Sequence, residues 1–167
     1  MSRLLPLKIR AAVNVLNLST PFGLLVARLG GATTRRGPRG LIIAEGYRFG
    51  FPIAGAFTVG NVIVTSQTID ALARHTPEIL QHEDAHSWQW FALGPLFLPA
   101  YLAGMAWSLA TTRTIGLGNP FERHAGLISG GYVRPCDPGG TLRSSSGRSG
   151  AGPSGSAGGA PGADVAS

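Results

Sequence analysis

Two histidines stand four residues apart in His82-Glu83-Asp84-Ala85-His86, with a glutamate directly after the first. On a helix, residues four apart lie one above the other on a single face. His82 and His86 can then aim two imidazoles at one metal ion, and Glu83 sits one step round, within reach of a water at that ion. Two imidazoles and a carboxylate base suit metal-assisted hydrolysis. A catalytic metal of this kind takes a third protein ligand and keeps one position open. That ligand must come from another element, and the candidates are Glu122, His124 and His75. His75 lies in the turn before the motif and is out of reach. Glu122 is preferred, because it sits early on a helix that can fold back onto the motif, and the small Ala125 one turn later permits close approach. His124 points to another side of that helix. Gln89, His124 and Tyr132 are candidates for supporting the ligands or for donating to a developing oxyanion.

The surrounding sequence predicts the elements that must hold these groups. Thr76 as N-cap, Pro77 in the first position and the Gly94-Pro95 break predict a motif helix over about 77–91. Upstream, 56–59 and 62–65 are β-rich runs flanking Gly60-Asn61, a two-residue turn suited to a hairpin. Residues 41–44 read as a further short strand, 30–40 as a loop, and 66–74 as a short helix capped by Thr65 or Ser66. Residues 91–110 carry no charged side chain. Pro99 predicts that the continuous helix there covers about 99–112, which is short for a membrane span and suits a core helix against the motif helix. Asn119 and Pro120 begin a last helix that reaches Ile128 and stops at Gly130-Gly131. The class expected is α+β and mainly helical: a small antiparallel hairpin or sheet, then the motif helix, an apolar helix and a third-ligand helix.

The chain divides into an apolar amphipathic segment at 1–29, a domain at 30–134 and a tail at 135–167. The tail holds 9 Gly, 7 Ser and 4 Pro in 33 residues and no aromatic residue, a composition that predicts disorder. One cysteine, Cys136, excludes an intramolecular disulfide and a cysteine-based zinc finger. The net charge is +6, and residues 1–48 hold eight basic side chains against a single acid, Glu45. No nucleic-acid motif accompanies them, so nucleic acid is not expected as a partner. Basic residues interleaved with apolar runs suit an anionic membrane surface or a solvated face. Asn14, Asn17 and Pro21 make 2–29 a poor spanning helix, and the segment is expected to pack on the core or lie on a membrane.

With these residues placed, the chain resembles a minimal gluzincin of the CAAX-prenyl-protease and heat-shock-protease type. The likeness covers about 54–126 and rests on the strand–turn–strand unit, a helix, and the H-E-x-x-H helix. It implies His82, His86 and Glu122 as ligands of Zn2+, Glu83 as base, and a peptide or protein substrate. Strand Val62, Ile63, Val64 and Thr65 would then pair with the extended substrate as an added strand. A closer likeness, over most of 12–132, is to short bacterial proteins that combine H-E-x-x-H-x-x-Q, Gly-Pro-Leu-x-Leu-Pro and Asn-Pro-Phe-Glu-Arg. It implies the bacterial cytoplasm or cytoplasmic membrane. Two positions depart from the peptidase pattern. The residue four after Glu122, often an acid there, is Gly126, and Asp84 adds a carboxylate inside the motif.

Overall fold

The computed structural model describes residues 4–50 and 55–133. The 135–167 tail with Cys136, and Arg3 of the basic segment, lie outside the described residues. Two helices, α1 (Leu4–Leu16) and α2 (Ser19–Leu29), lead into a four-stranded sheet. Its strands are β1 (Thr33–Arg36), β2 (Ile42–Glu45), β3 (Ala56–Val59) and β4 (Val62–Thr65), in the order β1-β2-β4-β3. Four helices follow: α3 (Ile69–His75), α4 (Ile79–Leu93), α5 (Phe97–Thr112) and α6 (Pro120–Ala125). The α+β, mainly helical class is as expected.

The sheet is mixed rather than purely antiparallel. β3 and β4 form the expected hairpin, with Val59 opposite Val62, but β4 also pairs in parallel with β2, Ile43 opposite Ile63. Gly60 takes φ +62° at the turn, and a Cβ there would lie 2.4 Å from the Thr20 nitrogen. Only glycine lets the hairpin and the start of α2 approach so closely. Strand alternation sends Ile43 and Ile63 to one face, where they pack with Leu72 and Ile79. Ala44, Val62 and Val64 go to the other, under Ala27 of α2. A strand covered on both faces reads as a continuous apolar run, as β4 does.

This placement corrects the substrate-strand expectation. Val62, Ile63, Val64 and Thr65 form a central strand, buried throughout and paired on both sides. Its ladder positions are taken by β2 and β3, so no peptide can add to it.

Helix boundaries shift for local reasons. α3 starts at Ile69 because Thr68, not Thr65 or Ser66, accepts from the Ala71 N–H at 3.2 Å. The Thr65 hydroxyl is committed to the Gly55 carbonyl at 2.9 Å. Thr76 ends α3 instead of capping α4, which starts two residues after Pro77. α4 ends at the Gly94-Pro95 break, and α5 restarts at Phe97, before Pro99. Pro99 costs no helical bond there, because the first turn has no carbonyl partners to lose. α5 is not the buried core helix expected: only Phe97, Gly104 and Ser108 are buried. β1 falls in the stretch read as a loop. All four of its residues are exposed, so no apolar alternation marks it.

α1 docks on the back of α4 through polar groups. Arg10 is fully buried and pairs with Asp84, donates to the Arg39 carbonyl at 2.7 Å, and lies over the Trp88 ring. Arg39 adds a second contact to Asp84 at 3.2 Å. Asn14 donates to Asn61 Oδ1 and to the Ser87 carbonyl, both at 3.0 Å. Asn61 in turn donates to the Ala11 carbonyl and the Thr20 hydroxyl. Asp84 therefore points away from the histidine face and fixes the motif helix from behind.

Removing one partner of a buried ion pair leaves the other uncompensated. Arg10→Met is expected to lower stability by about 3–5 kcal/mol in urea unfolding. Arg10→Met combined with Asp84→Leu should recover most of that loss. An additive double variant would contradict the coupling.

Candidate metal centre

Helical spacing stacks the two imidazoles as the motif requires. His82 and His86 are both buried, with ring centroids 4.7 Å apart and their Nε2 atoms 3.0 Å apart. Glu122, 1 % exposed, arrives on α6, whose N-cap Asn119 accepts from the Phe121 N–H at 3.1 Å. One carboxylate oxygen lies 3.1 Å from His82 Nε2 and the other 3.5 Å from His86 Nε2. His82, His86 and Glu122 are the one group among the described residues able to hold a metal ion through three such donors. Ala125 is buried, as close approach of α6 requires.

The proton positions show why this cluster suits a cation. His82 Nδ1 faces the Gly126 carbonyl at 3.1 Å, an acceptor only, so this nitrogen carries the hydrogen. His86 Nδ1 faces Gln89 Oε1 at 2.8 Å. The amide orientation of Gln89 is set by its NH2, which donates to the Phe121 carbonyl at 2.9 Å. His86 Nδ1 is therefore also the donor. Both Nε2 atoms are left with lone pairs aimed at each other and at a carboxylate. Glu122 Oε2 is buried and accepts no hydrogen bond. Three converging lone-pair donors without a proton between them repel unless a positive charge sits among them. A tetrahedral site with bonds of 2.0–2.1 Å separates its ligand atoms by about 3.3 Å, and the donors here span 3.0–3.5 Å. The residues fit a small divalent ion.

The electrostatics agree. Burial alone would raise the Glu122 carboxyl, but the imidazoles of His82 and His86 and the Tyr101 hydroxyl against it hold it far below the ordinary carboxylate range. Burial lowers the His86 imidazole, yet Glu122, with Glu83, more than offsets this and raises it. With no metal ion bound, a proton at an Nε2 can take the place between these donors that a cation would fill. Tyr101 donates to Glu122 Oε1; burial first, then the Glu122 charge, pushes its hydroxyl well above the usual range and keeps it a donor.

Of the other expected site residues, Glu83 is buried, and its Oε2 accepts from the Thr58 hydroxyl at 2.7 Å. Thr58 is held in turn by Trp90, whose indole N–H donates to the Thr58 carbonyl at 2.8 Å. Gln89 orients His86 and stands 3.2 Å from His124 Nδ1. His124 is exposed and reaches Gln89 rather than the three donor atoms. The Tyr132 ring lies 6.2 Å from that of His82, and burial, then Glu122, raises its hydroxyl.

Several contributors were not expected. Tyr101 gave a signal, being the one tyrosine in the uncharged stretch 91–110. Thr58 gave none, since strand threonines are ordinary. α6 stops at Ala125 rather than Ile128, and Gly126 supplies by its main-chain carbonyl the acceptor that an acid side chain would otherwise give. At Gly130 a Cβ would sit 2.5 Å from His82 Cε1, so the chain presses its bare backbone against the ring. No protein-family model, no curated protein and no solved structure matches the chain.

Replacing Gln89 by Leu removes the acceptor that fixes His86 as a lone-pair ligand. Metal affinity is expected to fall about 10–100-fold in a chelator-competition titration. Unchanged affinity would show that His86 is not oriented through Gln89.

Proposed function

We propose that the chain is a zinc-dependent peptidase in which His82, His86 and Glu122 hold the metal and Glu83 is the general base. The observation that carries this reading is the three-donor centre with Glu83 one helical step away and anchored by Thr58. The H-E-x-x-H pattern supports peptide hydrolysis over other reactions. Bound there, zinc would acidify a water and polarise the scissile carbonyl. Thr58 occupies Glu83 Oε2, which leaves Oε1 to take the proton from the attacking water and pass it to the leaving amine. Tyr101 binds Glu122 through its hydroxyl and holds that carboxylate in place. Tyr132, kept protonated, is the nearer of the two candidate oxyanion donors, because His124 is turned to Gln89.

A second reading is a non-catalytic metal-stabilised module. Burial of all three ligands favours it, since structural metal sites are closed. The two readings part at Glu83. For a peptidase, Glu83→Gln keeps the metal and lowers cleavage of a fluorogenic peptide library by at least about a hundredfold. If the zinc-loaded parent cuts nothing while chelation lowers its Tm, the module reading stands and the peptidase reading fails.

A further inference from the structure

A helix docked on a core in water turns its apolar stripe inward and its polar residues outward. α1 and α2 do the reverse. The side chains they bury include Arg10, Asn14, Ser19 and Thr20. The side chains they expose include Leu5, Ile9, Val15, Phe22, Leu25 and Leu29. α5 carries no charge, buries a thin stripe, and exposes Leu98, Leu102, Trp107 and Leu109.

The two surfaces meet at one corner. Asn17, at the elbow between α1 and α2, donates to the Trp90 carbonyl at 3.3 Å and lies against Gly94 between α4 and α5. Around this contact Leu16, Leu18 and Leu96 are 79 %, 67 % and 70 % exposed. Leu18 sits at φ +66°, a left-handed conformation that a leucine rarely adopts. In that conformation its apolar side chain is exposed at the elbow.

Charge is distributed to match. α1, α2 and α5 contain no Asp or Glu, and the exposed cations Lys8 and Arg28 sit among the outward leucines. Among the described residues the exposed carboxylates are Asp70 and Glu78. Asp70 belongs to α3, which packs on the opposite sheet face from α2. We propose that α1, α2 and α5 form a membrane-docking surface, embedded in one leaflet of an anionic lipid bilayer. A second copy of the chain is a poorer occupant, because it would bring the same cations and no acid to pair with them. α1 and α2 are bent by 71°. α4 and α5 together run 34 residues, Ile79–Thr112, long and apolar enough by length and composition to cross a membrane, but α4 buries His82, Glu83, Asp84 and His86 within the protein and is not free to enter lipid. The parts left to face it, α1, α2 and α5 with 13, 11 and 16 residues, reach about 20, 17 and 24 Å, short of the roughly 30 Å hydrocarbon core, so they lie in the leaflet. This surface is independent of whether the metal centre hydrolyses peptides.

The test is flotation of the full chain with mixed phosphatidylcholine–phosphatidylglycerol vesicles, at low salt and at about 0.5 M KCl, where surface electrostatics are largely screened. The chain should float at both salts. Leu18→Glu with Leu96→Glu should cut the bound fraction about tenfold or more, as should Trp107→Glu alone, with far-UV circular dichroism unchanged. A chain that stays at the bottom, or that salt releases, overturns embedding. So does a discrete dimer in lipid-free buffer that the same variants dissociate, since a second copy would then cover the face.

Discussion

Two imidazole nitrogens and a carboxylate converge in a space from which water is largely excluded, and each has its lone pairs turned toward the others. The Nδ1 hydrogens of His82 and His86 are committed to Gly126 and Gln89, so only an added proton at Nε2 or a metal ion can relieve this. A buried carboxylate without a counter-charge costs several kcal/mol. A positive charge at its centre relieves the repulsion, and much of the surrounding fold keeps the three donors aimed there.

The motif helix is gripped from three sides. Behind it, Arg10 and Arg39 hold Asp84, and Asn14 ties Ser87 to the hairpin turn through Asn61. From the sheet edge, Thr58 fixes Glu83 and receives Trp90. From the front, α5 brings Tyr101 to Glu122, while the segment after α6 lays Gly126 and Gly130 against His82. The Asp84 carboxylate, which breaks the peptidase pattern in the sequence, adds no charge to the metal face. It serves as the anchor by which α1 sets the rotation of α4.

The convergence of His82, His86 and Glu122 was legible because each part is local. The i, i+4 spacing fixes the two histidines, and the Asn119-Pro120 start of α6 presents Glu122 within its first turn. The hairpin at Gly60-Asn61 was equally local, a turn with one sterically permitted residue. What the sequence hid depends on contacts between distant segments. That β4 pairs with β2 as well as β3, and so cannot take a substrate strand, follows from chain topology and not from its β-rich composition. The inverted faces of α1 and α2 escape a pattern search that asks how apolar a face is and not which way it turns. The role of Gly126 rests on a carbonyl direction that its residue type does not announce.

The most direct measurement is the metal content of the purified full chain beside His82→Ala and Glu122→Ala, by elemental mass spectrometry after zinc loading and desalting. A three-donor centre requires about one zinc per parent chain and little in either variant, since each removes one of three ligands. No metal retained by the parent, or full retention in the Glu122→Ala protein, would contradict the centre described above.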